Sequence, residues 1–381
     1  MLNITCLLNV YKDGALWYHI FMESSTQNIN NKQIGRQTFL DFLRVIAIFA
    51  VVFLHSSVKQ YNTSDITTNG FMMANLYDSL VRWAVPVFVM ISGTLFLDPQ
   101  KEITIRMIFN KYIKRIIITF IVWSLVYVIA YNKKATIDSI LALIKGHYHL
   151  WYLYLIIGLY LCVPILRPIA ANRKITEYFL LLALAFTFFV PTVLDVSKMI
   201  LFHGKDDILK IISAIENVIN SKMFLFLVLG YTPYFVLGYY LKNVNISKRL
   251  EFFIYALGVI GWISTFILTM QASKIAGKKV NFYSYKYISV LWESIAVYVF
   301  AKCRMCLTKE GLFQKVIMVL SSASFGVYLV HVLVLDKMYK FLPLSSLPTP
   351  IVVPVLAVIT FLISIVISIL INKIPCIRKL V

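Results

Sequence analysis

"FLRVIAIFAVVFLH", residues 42–55, is the stretch on which the fold turns. It is apolar except for Arg44 and His55, and it sits in a run, 39–58, of about the 20 residues that an α-helix needs to cross roughly 30 Å of hydrocarbon. A charged side chain at that depth costs about 2.5–3.5 kcal/mol on insertion scales, so a chain that keeps one there has a partner or a use for it. On a helix, eleven residues turn through about 1100°, about 20° from a whole number of turns, which puts Arg44 and His55 on one face ~16 Å apart. Asp41, three residues before Arg44, joins that face. The spacing predicts a membrane helix with one polar seam. The plainer reading is that Asp41 and Arg44 pair at one membrane boundary while His55 sits among headgroups at the other.

Nine further apolar runs follow, at 80–98, 112–131, 150–170, 178–195, 223–241, 251–270, 286–301, 317–336 and 351–371. With 60% hydrophobic and 14% charged residues, against roughly 25% charged in soluble domains, the chain reads as an all-α polytopic membrane protein of about ten transmembrane helices. The formal charge of +20 does not point to nucleic acid, because Lys and Arg are spread over short loops, with an excess on the side that places the N-terminus, and with it the C-terminus, in the cytoplasm. A multi-pass protein of a bacterial plasma membrane, in contact with lipid, is the expectation; nothing in the sequence sets an oligomeric state.

The polar lead-in 1–38 precedes a membrane domain over 39–372 and a short tail over 373–381. Met22 opens a natural-looking start, "MESSTQNINNKQIGR", so residues 1–21 are expected to be a start-site artefact or a surface appendage. Cys303 and Cys306 form a lone C-x-x-C without a second Cys or His pair, which favours two reduced thiols over zinc; no metal is expected. No loop is long enough for a separate soluble domain, so the chemistry belongs to the bundle.

Other polar groups interrupt the apolar runs. "VRWAVPVFVMISG" carries Arg82, Ser92 and Gly93 around Pro86; proline and glycine here suit kinks and close packing. "GHYHLWYLYL" places His149 and Trp151 at a boundary, where an aromatic belt explains the tryptophan as well as a function does. Glu293 stands in "SVLWESIAVY", and His331 in "SSASFGVYLVH", where a hydrogen-bonded core histidine is the bland alternative. Counting spans outward and inward brings His55, Arg82, His149 and His331 to one layer in the outer half. Arg44 and the cluster Arg106, Lys111, Lys114 and Arg115 then face the cytoplasm. The segment "FHGKDDILKIISAIENVIN" has the spacing of a helix lying along the interface.

Four blocks in order, "LRVIAIFAVVFLH", "RWAVPVFVMISG", "HLWYLYLIIGLYLCVPIL" and "SFGVYLVH", resemble the membrane acyltransferase 3 family over about residues 38–372, in its compact ten-helix form without a fused extracytoplasmic domain. The family's Arg-x10-His pattern falls on Arg44 and His55, its S-G pair on Ser92 and Gly93, its H-L-W on His149, Leu150 and Trp151, and its Y-L-x-H on Tyr328 and His331. The resemblance implies a cytoplasmic acyl-CoA donor, acetyl-CoA first and succinyl-CoA second, and an acceptor hydroxyl on a surface polysaccharide or its lipid-linked precursor.

Transfer from a thioester to a hydroxyl needs a base and a positive partner for the developing oxyanion. His55, near neutral pKa in its ordinary state, is the leading base, with His331 beside it. Arg82 is the expected oxyanion partner and Arg44 orients the donor's arm. His149, Trp151, Ser92 and Glu293 are expected to line the substrate, and Arg106, Lys111, Lys114 and Arg115 to bind the coenzyme A phosphates. An acyl-histidine intermediate is a second route. Two rival functions use the same buried charges: a transporter or flippase of a glycan precursor, against which stands the lack of an inverted repeat, and a non-catalytic module that binds a small polar ligand.

Overall fold

The computed structural model describes residues 31–131, 137–223, 225–305, 311–341 and 347–374, with side chains from Thr38 onward. Residues 1–21 and Cys306 therefore lie outside the described residues. All regular structure among the described residues is helical, and its longer elements are α1 (Asn31–Thr63), α2 (Asn69–Leu80), α3 (Ala84–Phe96), α4 (Ile105–Tyr131), α5 (Ile137–Lys145), α6 (Trp151–Ala171), α7 (Arg173–Leu201), α8 (Asp206–Asn217), α9 (Thr232–Asn243), α10 (Lys248–Ala276), α11 (Ile288–Arg304), α12 (Leu312–Phe341) and α13 (Thr349–Asn372).

The protein is a polytopic membrane protein, with eight spans long and apolar enough to cross a bilayer among the described residues. Two of the ten expected spans fall short. The run 223–241 yields only the 12-residue α9, because the chain turns through Gly230 (φ 90°) and starts its helix at Thr232 with Pro233 in the first turn. The run 286–301 yields the 17-residue α11, which begins only after Tyr287 adopts extended backbone. Hydropathy counts apolar residues whether or not they are helical, so the turns preceding both helices were included in the expected spans.

The run 80–98 is likewise two helices that together make one span. Pro86 has no N–H to offer the Arg82 carbonyl, so the hydrogen-bond ladder stops at residues 81–83 and restarts as α3. The break delivers Arg82 into the bundle instead of around a helix surface. Farther along α3, Gly93 meets the Phe235 carbonyl of α9, and Gly238 of α9 meets the Met90 carbonyl; a Cβ at either position would collide with that backbone. Reciprocal glycines let two short helices touch backbone to backbone, which is the packing use expected of Gly93.

The helix that carries the opening stretch is central. α1 packs against α2, α3, α11, α12 and α13. Its partner α12 runs parallel to it, pinned at both ends: the Ser321 hydroxyl donates to Asp41 at 2.8 Å and the Lys59 ammonium to Asp336 at 2.6 Å. The two pairs are offset by nearly the same number of residues, 280 and 277, so the register holds along the whole contact. That register decides what faces His55.

Candidate active site

His331 of α12 meets His55 of α1, with ring centroids 5.2 Å apart. His149 approaches from the other side, its centroid 5.3 Å from that of His331. It arrives there because Gly146 (φ 69°) reverses the chain after α5, where a Cβ would collide with Phe120, and a single 3-10 turn over Tyr148–Leu150 leads into α6. His331 and His149 are buried, at 0% and 2% exposed, whereas His55 is half-buried.

The backbone assigns the protonation of His331. Its Nδ1 faces the carbonyls of Tyr328 at 2.7 Å and Val327 at 3.1 Å. Carbonyls only accept, so Nδ1 carries the hydrogen and Nε2 is the bare nitrogen. That Nε2 is buried and has no hydrogen-bond partner among the described residues, and the same is true of His149 Nε2. A buried imine nitrogen without a donor is open to a hydroxyl that can donate to it. His55, the leading base in the sequence reading, has no hydrogen bond among the described residues to fix its tautomer and packs on Tyr148 at 5.4 Å.

His147 completes the group and was not singled out from sequence. Its Nδ1 lies 3.1 Å from Nδ1 of His149, and its ring stacks on Tyr127 at 4.3 Å and on Tyr131 at 5.2 Å. The H-x-H spacing of "GHYH" after a glycine was the available signal. Tyr131 donates at 2.5 Å to Asp336, which also holds Lys59.

From the histidines a line of hydroxyls runs through the bundle. Tyr328 donates to the His149 carbonyl at 2.7 Å, its ring 5.8 Å from that of Tyr152; the Ser92 hydroxyl faces both Tyr152 and Tyr160. Tyr160 lies within electrostatic range of Arg44 and Arg115. Ser92 thus stands midway and not at the histidines.

At the far end Arg44 does pair with Asp41, at 2.6 Å, as the plainer reading held, but this pair is largely buried and shared with Ser321. The expected cation cluster divides. A widened π-turn over Ile108–Ile113 rolls Lys111, Tyr112 and Arg115 inward, half-buried, while Arg106 and Lys114 point out to the surroundings. Lys101, missed from sequence, lies near this set, within electrostatic range of Arg44, but is exposed. Its loop is tied down by Arg167, which donates to the carbonyls of Phe96, Pro99 and Lys101 at 3.0, 3.3 and 2.7 Å. The enclosing protein and the nearby Lys242 and Arg44 cations lower the Lys101 ammonium below the ordinary lysine range, against the pull of Asp98. Asp98 itself is raised by burial, but its 2.9 Å bond to Lys242 and that cation's charge outweigh the burial and lower it.

Arg82 reaches the histidine layer in a different condition from the free cation expected. Its Nη2 donates at 2.5 Å to both oxygens of the wholly buried Asp78, and its guanidinium lies over the Tyr283 ring at 4.0 Å. It remains in electrostatic range of His55. Glu293 is not among the histidines: it is buried between α10 and α11, where Thr265 donates to Oε1 at 3.4 Å. Trp151 is 38% exposed and stacks with Tyr285 at 6.2 Å, as a belt residue does.

Among the described residues no group of three or more His, Cys, Asp and Glu forms a metal site. Compared with known proteins, the chain matches the family model described as an acyltransferase domain, over residues 37–370. No curated protein and no solved structure matches it.

Proposed function

The chain belongs to that acyltransferase family and is a membrane acyltransferase, and from this premise we propose that it moves an acetyl group from cytoplasmic acetyl-CoA to a hydroxyl of a surface polysaccharide or its lipid-linked precursor. The observation that carries the reading is the continuous polar line from Arg44 through Tyr160, Ser92, Tyr152 and Tyr328 to His331. One end of it suits a phosphorylated donor and the other suits a hydroxyl.

Inward-facing Lys111 and Arg115, with Arg44 and the exposed Lys101 beside them, hold the phosphates of coenzyme A near the α1 N-terminal end, taken as cytoplasmic. The acyl-bearing arm then follows the hydroxyl line toward the histidines, over the ~16 Å that separates Arg44 from His55 along α1. His331 Nε2 takes the proton of the acceptor hydroxyl as its oxygen attacks the thioester carbonyl. The C–S bond breaks, and the imidazolium returns the proton to the departing thiolate. His55, tilted against His331, orders the acceptor, and Arg82 acts through the field of its ion pair more than as a bare cation. A succinyl donor is the second choice on the same scheme.

The test is transfer of label from [14C]acetyl-CoA to endogenous glycan in membranes. Wild type labels the glycan, and His331→Ala and His55→Ala, at normal protein levels, do not. Label retained in both variants would sink the assignment of the histidine group as the reaction centre, and accumulation of glycan precursor in vesicles without any acyl-CoA would replace transfer by transport.

A further inference from the structure

His149 is a buried group to which the transfer step assigns no task. It has a bare position, Nε2, 2% exposed as a residue and without a hydrogen-bond partner among the described residues, and its ring centroid lies 5.3 Å from that of His331, whose Nε2 is in the same condition. Behind His149 stands His147, half-buried, and near His147 the partly exposed Asp336–Lys59 pair.

The hydrogen on His149 can be placed from its neighbours. Its ring lies against the Leu329 carbonyl, and since Nε2 has no partner the contact falls to Nδ1. A carbonyl accepts only, so Nδ1 carries the hydrogen, and the 3.1 Å neighbour Nδ1 of His147 is then its second acceptor. The Leu329 carbonyl, with two lone pairs, also accepts from Tyr127 at 2.9 Å, so His149 shares that acceptor, and His147 Nδ1 is the one within 3.1 Å that it does not share with Tyr127. His147 in turn is clamped between Tyr127 and Tyr131 and lies within electrostatic range of Asp336, which accepts from Tyr131 and Lys59. His331, His55 and Tyr328 face His149 from the remaining sides.

We infer that His147, backed by Asp336, is a positioning residue that keeps His149 in the Nδ1–H form, so that the histidine group holds two hydrogen-bond-accepting nitrogens, Nε2 of His149 and Nε2 of His331. The acceptor it fits is one that brings hydrogen-bond donors on two sides: two neighbouring hydroxyls of a sugar ring, one for each nitrogen. One hydroxyl loses its proton to His331 and is acylated; the other donates to His149, keeps its proton and fixes the ring. This rests on the acyl-transfer reading for its substrate, whereas the tautomer does not depend on that reading.

The experiment reads both. Protein labelled with 15N-histidine in lipid nanodiscs is examined by solid-state NMR, with His149 and His331 assigned through His149→Gln and His331→Gln. Wild type is expected to show Nε2 bare and Nδ1 protonated at both positions. His147→Phe is expected to leave His149 as a mixture of tautomers and to lower kcat for glycan labelling by about 10- to 100-fold, the range for a lost orienting partner, with the acetyl-CoA KM unchanged. His147→Asn, whose side-chain carbonyl still accepts from Nδ1–H, restores both. A protonated Nε2 on His149 in wild type, or a His147→Phe protein with unaltered His149 signals, overturns the inference. Absence of glycan labelling in wild type would instead remove the acyl-transfer reading and leave the tautomer to be judged by the NMR signals.

Discussion

At one end of the α1–α12 pair, Arg44 is joined by Lys101, Lys111 and Arg115, with Asp41 bound to Arg44 and Asp98 to Lys242. At the other end the same two helices bring together imidazoles, and the one arginine of that layer is tied to Asp78. The first end keeps a surplus of positive charge; the second removes charge and leaves lone pairs. An anion is drawn by the first arrangement, whereas a neutral hydroxyl needs the second, since a proton acceptor works only while it is unprotonated. Two helices in fixed register can thus serve both halves of one transfer.

The contrast breaks most severely if Arg82 is uncovered. Asp78→Ala strands a buried guanidinium, which costs about 3–5 kcal/mol, and is expected to lower the thermal unfolding midpoint in detergent far more than any histidine change does. An unchanged midpoint would mean that Arg82 does not depend on Asp78 and is free to act as the oxyanion partner. Next in size, His331→Ala is expected to reduce kcat by about 10²- to 10⁴-fold, the range of a lost general base, with normal protein yield. His203→Ala, on an exposed turn, should leave it unchanged. Equal and small effects would return His331 to packing.

The seam itself was legible, because eleven-residue spacing on a helix is a geometric fact, and the pairing of Asp41 with Arg44 follows from three-residue spacing. Which helix lies opposite was not legible: the parallel register that sets His331 against His55 comes from contacts 276 to 280 residues apart, outside any local pattern. Asp78 was missed for the same reason that Arg82 was overvalued. It lies four residues earlier, just before the apolar run, and only the continued helix brings it into the membrane layer. Arg106 and Lys114 were grouped with Lys111 and Arg115 as neighbours in sequence, whereas the π-turn separates them by face.

That division supplies a smaller effect. Arg115→Ala and Arg44→Ala are expected to raise the KM for acetyl-CoA by about tenfold, roughly 1.4 kcal/mol, with kcat held. Arg106→Ala and Lys114→Ala should change it little, and the difference should shrink in high salt. Parity among the four would mean that the donor is held at the bundle's outer surface and not inside it.

The smallest expected effect is a pH dependence that belongs to the cationic end alone. Lys101 is held below the ordinary lysine range by its enclosure and by Lys242 and Arg44, so it loses its charge at a lower pH than a free lysine. The sign follows directly. Below its folded pKa the ammonium is present and helps hold a phosphate; as the pH rises through that value the cation is lost, and the acetyl-CoA KM should climb while kcat holds steady. For stability the slope has the opposite sense: between the lowered folded pKa and the ordinary unfolded one the unfolded chain binds more protons, so this residue's contribution favours the folded form as the pH rises. Lys101→Arg keeps its charge throughout that window and is expected to flatten the KM profile. A profile that climbs identically in Lys101→Arg would assign the titration to another group, and a kcat that falls in parallel would show that the two ends do not work independently.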